Sequence, residues 1–132
     1  MFKINRLNPN FAREKHFIDK PERILVIGSK GQIGSVLVDF LRGIYGEQNV
    51  IGSDLRDASA ADSYYEKLNA ADATAMSAIV KKYKITQIYH LAAILSAKGE
   101  LDPLNTWQIN MQTYFNVLEV ARENGVRKIF YP

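Results

Sequence analysis

The sequence predicts an α/β chain built on a doubly wound parallel sheet, and three observations carry that expectation. Short β-branched runs alternate with stretches of helical periodicity, which demands crossover connections between parallel strands. A glycine-punctuated turn joins the first strand to the first helix. An almost continuous apolar run at 85–93 has the composition of a strand covered on both faces.

In order, residues 23–27 form a β-branched run that ends at Gly28. Gln32–Tyr45 follows with Ile33, Val36, Leu37, Phe40, Leu41 and Ile44 at helical spacing. Residues 49–53 read as a second strand, 55–63 as a polar loop, and 63–68 as a weak third strand. Asp72 stands where an N-cap belongs, ahead of Met76, Ile79, Val80 and Tyr83, with Lys81, Lys82 and Lys84 near the negative end of the helix dipole. After the strand at 85–93, residues 106–124 make the longest helix, closed by Gly125 before a fifth strand at 127–131. Right-handed crossovers then require a Rossmann-type sheet of order 3-2-1-4-5, with the return half of the fold expected past Pro132.

Composition narrows the chemistry. With 132 residues and 47% hydrophobic content, one domain at 23–132 is expected, preceded by a separate leader at 1–22. No run approaches the roughly 18 apolar residues of a membrane span. Cysteine is absent and the histidines are only His16 and His90, which argues against a disulfide framework, a thiolate zinc site or an imidazole metal cluster. The net charge of +3 lies wholly in residues 1–20, where Lys3, Arg6, Arg13, Lys15 and Lys20 face Glu14 and Asp19, while the remaining 12 basic and 12 acidic residues cancel. The neutral body argues against nucleic acid as a partner. The leader resembles a mitochondrial transit segment, giving the matrix as the expected location, although Pro9 and the lack of serine leave a surface arm or disordered leader as the alternative.

Gly28, Gly31 and Gly34 form a G-x-x-G-x-x-G turn between strand and helix. Gly28 suits the tight turn, Gly31 leaves room for a pyrophosphate, and Gly34 lets the helix approach the sheet, whose N-terminal N–H groups then face phosphate. Twenty residues past Gly34, Asp54 ends the second strand, where a carboxylate accepts from both hydroxyls of an adenosine ribose. The pair implies a dinucleotide, and Asp54 favours NAD over NADP because a 2′-phosphate would meet a like charge. Lys30 and Arg56 argue the other way, each able to pair with a 2′-phosphate, although both are read as solvated surface charges.

With those residues in place, 23–132 resembles the extended short-chain dehydrogenase/reductases of the epimerase/dehydratase superfamily. Within them it is most similar to the short-chain-type L-threonine 3-dehydrogenases. The residues that carry this are the glycine turn with Gln32-Ile33-Gly34, the segment from Tyr45 to Ile51 running into Ser53-Asp54-Leu55-Arg56, and Tyr89-His90-Leu91-Ala92-Ala93-Ile94-Leu95-Ser96-Ala97. Asn110-Met111 and the run from Asn116 to Ala121 complete it, and Leu95-Ser96-Ala97 with Gly99-Glu100 narrows it toward threonine dehydrogenase.

The resemblance implies that Gln32, Ile33, Leu55, Leu91, Ala92, Ala93 and Asn110 lie along NAD and that Ser96 reaches toward L-threonine. It further implies a homodimer when complete. Ala92 and Ala93 serve equally as small residues ending a buried strand, Ser96 as a loop hydroxyl bonding its own backbone, and His90 as strand-end packing. The family carries an acidic residue for the adenine amino group after strand three. Asn69 stands there instead, able to accept through its side-chain carbonyl.

The family's reaction uses a Tyr-x-x-x-Lys pair in which the lysine lowers the tyrosine pKa. Four residues after Tyr45, Tyr64, Tyr65, Tyr83, Tyr89 and Tyr114 stand Asn49, Leu68, Asn69, Gln87, Ala93 and Leu118, and Tyr131 has no such successor. No catalytic residue is therefore assigned in these 132 residues; the pair and the family's serine or threonine are expected past Pro132. The expectation is the NAD-binding portion of a threonine dehydrogenase, catalytically incomplete as given and prone to association through its sheet edge and long helix. A sugar-nucleotide epimerase or dehydratase, and a non-catalytic NAD-binding module, are the alternatives.

Overall fold

A computed structural model of the chain describes residues 21–94 and 100–132; residues 1–20 of the expected leader and Ser96 fall outside them. Five strands, β1 (Ile24–Ile27), β2 (Val50–Asp54), β3 (Tyr65–Lys67), β4 (Gln87–His90) and β5 (Lys128–Phe130), form one parallel sheet in the order β3-β2-β1-β4-β5. This is the Rossmann-type order expected from the alternation of strands and helices.

The sheet centres on β1, whose four residues are all buried. Successive strand side chains point to opposite faces. Leu25 and Ile27 therefore join Ile51, Ile88, Met76, Ile79, Val80, Val117 and Val120 in the larger core, beneath helices α2 (Ala73–Tyr83) and α3 (Pro103–Asn124). Ile24 and Val26 point the other way, toward Val38, Leu41 and Val50 under helix α1 (Gln32–Tyr45). Each fully buried Ile or Leu contributes about 2 kcal/mol, and β1 supplies such residues to both layers.

Helix ends follow from local chemistry. Asp72 caps α2 by accepting from the Ala75 N–H at 2.9 Å, and Lys84 closes it in the left-handed region. The longest helix starts three residues before the sequence boundary, because Asp102 accepts from the Asn105 N–H at 3.2 Å and Pro103 opens the first turn. That cap-and-proline pair is a helix-start signal which the apolar periodicity of the polar segment 103–105 does not show. Gly125 ends α3, as expected.

Three expected strands are shorter in the structure. The run at 85–93 pairs only from Gln87 to His90: the Ile85 N–H still bonds Val80 of α2, and beyond Leu91 the chain leaves the sheet. The third strand is confined to Tyr65–Lys67 because Tyr64 has a positive φ of 51°. β5 ends at Phe130. A second difference lies on α1, where Leu41 is buried but Ile33, Val36 and Phe40 are more than half exposed. Those apolar positions span too wide an arc for one contact face, so the helix presents an apolar stripe to the sheet and another to solvent.

The glycines of α1 give a direct test of this packing. A Cβ on Gly34 would stand 2.0 Å from the Gly28 carbonyl oxygen, a backbone atom that cannot step aside, whereas one on Gly43 meets nothing within 4 Å. Gly34→Ala should cost at least about 3 kcal/mol or prevent folding, while Gly43→Ala, which removes a mid-helix glycine, should stabilise by about 0.5–1 kcal/mol. Urea unfolding of the two variants checks both.

Candidate functional site

The carboxyl ends of β1, β2 and β4 meet at the glycine turn. Gly28 leaves β1 at φ +89°, and a Cβ there would lie 2.8 Å from the Ala92 nitrogen, so only glycine fits between the turn and the end of β4. The N–H groups of Gly28 and Ser29 both donate to the Ser53 carbonyl, at 2.8 and 2.9 Å, clamping the turn onto β2. Gly31 then enters α1 in extended conformation with no side-chain cap, and no acidic residue lies in the first turn. The initial N–H groups of a 14-residue helix are thus left with neither an intrahelical acceptor nor a capping side chain, the arrangement that receives an anion. A Cβ on Gly31 would touch only the Gly28 oxygen, at 3.4 Å, so the space over the turn is open.

Asp54, the last residue of β2, faces this turn. Its carboxylate accepts from the Lys30 N–H at 3.0 Å and the Arg56 N–H at 3.3 Å, and the Arg56 guanidinium stands 3.4 Å away. The Asp54 side chain is 11% exposed and is held beside the uncapped helix end. The glycine turn and the carboxylate, which lies twenty residues past Gly34 in sequence, adjoin in space.

The cations of this site are arranged differently from the expectation. Lys30 is not a solvated charge: its Nζ lies 2.7 Å from Asp62 Oδ2, donates to the Asp57 carbonyl at 2.7 Å and sits 4.5 Å above the Tyr65 ring. Asp62 also accepts from the Ser59 N–H and hydroxyl, and the hydrogen bond from Lys30 holds its carboxyl down to about 2. Arg56 remains largely exposed while donating to the Lys30 carbonyl at 3.0 Å.

Leu91 and Ala92 leave β4 directly against Gly28, and Ala93, which follows them, is exposed. Asn110, mid-helix in α3, reaches the same loop: its Oδ1 accepts from the Ile94 N–H at 2.8 Å and its Nδ2 donates to the Ile94 carbonyl at 3.2 Å. Its side chain therefore holds the backbone that follows β4. Gln32, Ile33 and Leu55 are exposed around the turn. Asn69 commits its side-chain carbonyl to the Ala71 N–H at 3.0 Å, an Asx turn, so one of its two acceptor positions is spent locally. Asn116 entered the sequence reading only as part of the run that carries the resemblance, with no role of its own. Its Nδ2 donates to the carbonyls of Ala70 and Ala71 at 3.0 and 2.9 Å, fixing the turn after β3 from α3. A second asparagine six residues after Asn110, on a helix whose other buried positions include Val117 and Val120, was the available signal.

His90 lies on the opposite side of the sheet from α1, buried against α3 and stacked on Tyr131. The Thr113 hydroxyl donates to the Asn110 carbonyl at 2.9 Å, so it accepts from His90 Nε2 at 3.2 Å. His90 is thereby the Nε2–H tautomer, with Nδ1 buried and without a partner among the described residues. Burial pushes its pKa down to about 4.

Residues 24–132 match the NAD dependent epimerase/dehydratase family, and the chain belongs to it. An uncharacterised epimerase/dehydratase of Staphylococcus haemolyticus is 42% identical over 105 residues, covering 76% of this chain and 33% of that protein. Among solved structures, a partial consensus L-threonine 3-dehydrogenase is 46% identical with a TM-score of 0.78, and an L-threonine dehydrogenase from Cupriavidus necator in its holo form is 43% identical with a TM-score of 0.78. Each alignment covers 83% of this chain and 36% of the neighbour. The chain thus spans about a third of the length of these proteins.

The depressed His90 pKa has a measurable consequence. The unfolded chain binds a proton at this residue near pH 6.5 and the folded chain only near 4, so stability is full above 6.5 and falls as pH drops toward 4. The loss should approach about 3 kcal/mol at most. Urea titrations at pH 7 and 4.5 should show the decline, and His90→Gln should reduce its slope over that window.

Proposed function

We propose that this chain binds NAD and forms the cofactor half of a dehydrogenase that oxidises L-threonine to 2-amino-3-oxobutanoate. The observation that carries the cofactor reading is the position of the Asp54 carboxylate, fixed by the Lys30 N–H beside the uncapped start of α1. A phosphate-accepting helix end and a ribose-accepting carboxylate belong to one ligand when they lie this close.

The residues present fit such a cofactor. Gly31 leaves open space over the turn, and the first N–H groups of α1 would hold a pyrophosphate. Asp54 would accept from the adenosine ribose, and its charge would repel a 2′-phosphate. Leu91, Ala92 and Ala93 would line the cofactor on the β4 side, held by Asn110 through Ile94. NAD, when bound, supplies the hydride acceptor. No Tyr-x-x-x-Lys pair occurs in these 132 residues.

The threonine reading is supported by the 46% and 43% identity to L-threonine dehydrogenases. For association, a homodimer is the reading that suits α3, where Leu104, Trp107 and Phe115 are each more than half exposed. Sedimentation should show self-association at micromolar concentration, and a clean monomer would count against it.

Calorimetric titration with NAD, NADP and ADP-ribose tests the cofactor reading. Saturable NAD binding weaker by at least about tenfold in Asp54→Ala is the expected result; a folded chain that ignores all three ligands would refute it. For the substrate, a full-length protein containing this sequence should form NADH with L-threonine, and a response to a sugar nucleotide instead would replace threonine in the proposal.

A further inference from the structure

Lys30 occupies an unusual position for a cation in a site proposed to prefer NAD. Its own backbone N–H donates to Asp54 Oδ2 at 3.0 Å, so its side chain starts beside the carboxylate proposed to take the ribose. From that point the four methylenes of a lysine are long enough to bring an ammonium to a phosphate on the ribose 2′ position. The structure shows the ammonium elsewhere. Nζ is paired with Asp62 at 2.7 Å, donates to the Asp57 carbonyl at 2.7 Å and caps the Tyr65 ring at 4.5 Å, while the cation paired with Asp54 is Arg56.

Asp62 is itself held in place. The Ser59 N–H and hydroxyl donate to the same Oδ2 that receives Lys30, at 2.6 and 2.9 Å. The loop carrying it is tied at further points: Arg56 donates to the Lys30 carbonyl, the Tyr65 hydroxyl donates to the Arg56 carbonyl, and Lys67 pairs with Asp57 at 2.7 Å. Lys30 and Asp62 are 21% and 28% exposed, partly shielded from the solvent that weakens open surface pairs. Lys30 and Asp62 also line one cleft of about 370 Å³ between α1 and β3, whose walls do not include Asp54.

We propose that Asp62 is a cofactor-selectivity residue, acting by holding the Lys30 ammonium away from the ribose so that Asp54 meets the nucleotide without a lysine counter-charge. The inference rests on the NAD reading above and adds a second element to it. Asp54 repels a 2′-phosphate directly; Asp62 removes the lysine that would otherwise attract one. Asp62 itself touches no cofactor atom in this account and is a positioning residue.

The test compares the wild-type chain with Asp62→Asn and with Asp62→Asn/Lys30→Met, titrated with ADP-ribose and with its 2′-phosphate. In Asp62→Asn the 2′-phosphorylated ligand should gain about fivefold relative to ADP-ribose, and the double variant should return to the wild-type ratio. Arg56 is present in both variants, so the double variant separates its contribution from that of Lys30. A direct readout needs no ligand: competitive acetylation followed by mass spectrometry should label Lys30 several-fold faster in Asp62→Asn. An unchanged ligand ratio, a gain that survives Lys30→Met, or unchanged labelling overturns the inference while leaving NAD binding intact. Absence of ADP-ribose binding by the folded wild-type chain overturns the NAD reading, and this one with it.

Discussion

At the junction of β1 and α1 three backbone segments approach more closely than any side chain allows. A Cβ at Gly34 would fall 2.0 Å from the Gly28 oxygen, and one at Gly28 would fall 2.8 Å from the Ala92 nitrogen. Those gaps set where α1 starts and which way its N-terminus points. The same turn, clamped by two hydrogen bonds to the Ser53 carbonyl, brings the end of β2 alongside, so that Asp54 stands next to the helix end rather than a strand's width away. The order β3-β2-β1-β4-β5 then places the post-β4 loop on the other flank. Fold and candidate site are consequences of one side-chain-free crossing.

From this crossing the rest of the architecture divides into a larger core and a smaller one. On the α2 and α3 side, Met76, Val80, Val117 and Ile88 bury a large core, and the asparagines Asn110 and Asn116 reach from α3 to the loops after β4 and β3. These side chains convert the long helix into a brace for backbone that no regular pairing holds. On the other side, among the described residues, α1 is the one helix that covers the sheet, with a smaller cluster around Val38 and Leu41 and an apolar outer stripe. The stacking of Tyr89 on Phe130 at 4.3 Å lies on that thinner side.

Much of this was legible in the sequence, for identifiable reasons. The strand order followed from alternation and handedness, and the glycine spacing with Asp54 named residues that the structure brings together, because steric and charge requirements leave marks at fixed positions. Boundaries were less legible. An apolar run such as 85–93 records burial, not hydrogen bonding, so it overstated β4; the start of α3 at Asp102-Pro103 carries a cap signal without periodicity. The fate of Lys30 was not legible at all. Its partner Asp62 lies thirty-two residues away in a loop of free register, and nothing local distinguishes a latched lysine from a solvated one.

The electrostatics of the site therefore depend on tertiary pairing as much as on sequence position. Asp54 is held at the turn by the Lys30 and Arg56 N–H groups, with the Arg56 guanidinium 3.4 Å away and the Lys30 ammonium paired with Asp62 instead. The most direct test of this account is a backbone amide NMR titration of the isotopically labelled chain with ADP-ribose. Shifts concentrated at Gly31 to Gly34, at Asp54 to Arg56 and at Leu91 to Ala93 are the expected result. Shifts confined to α3, or none in a well-folded spectrum, would contradict the claim that the glycine crossing and Asp54 form one nucleotide site.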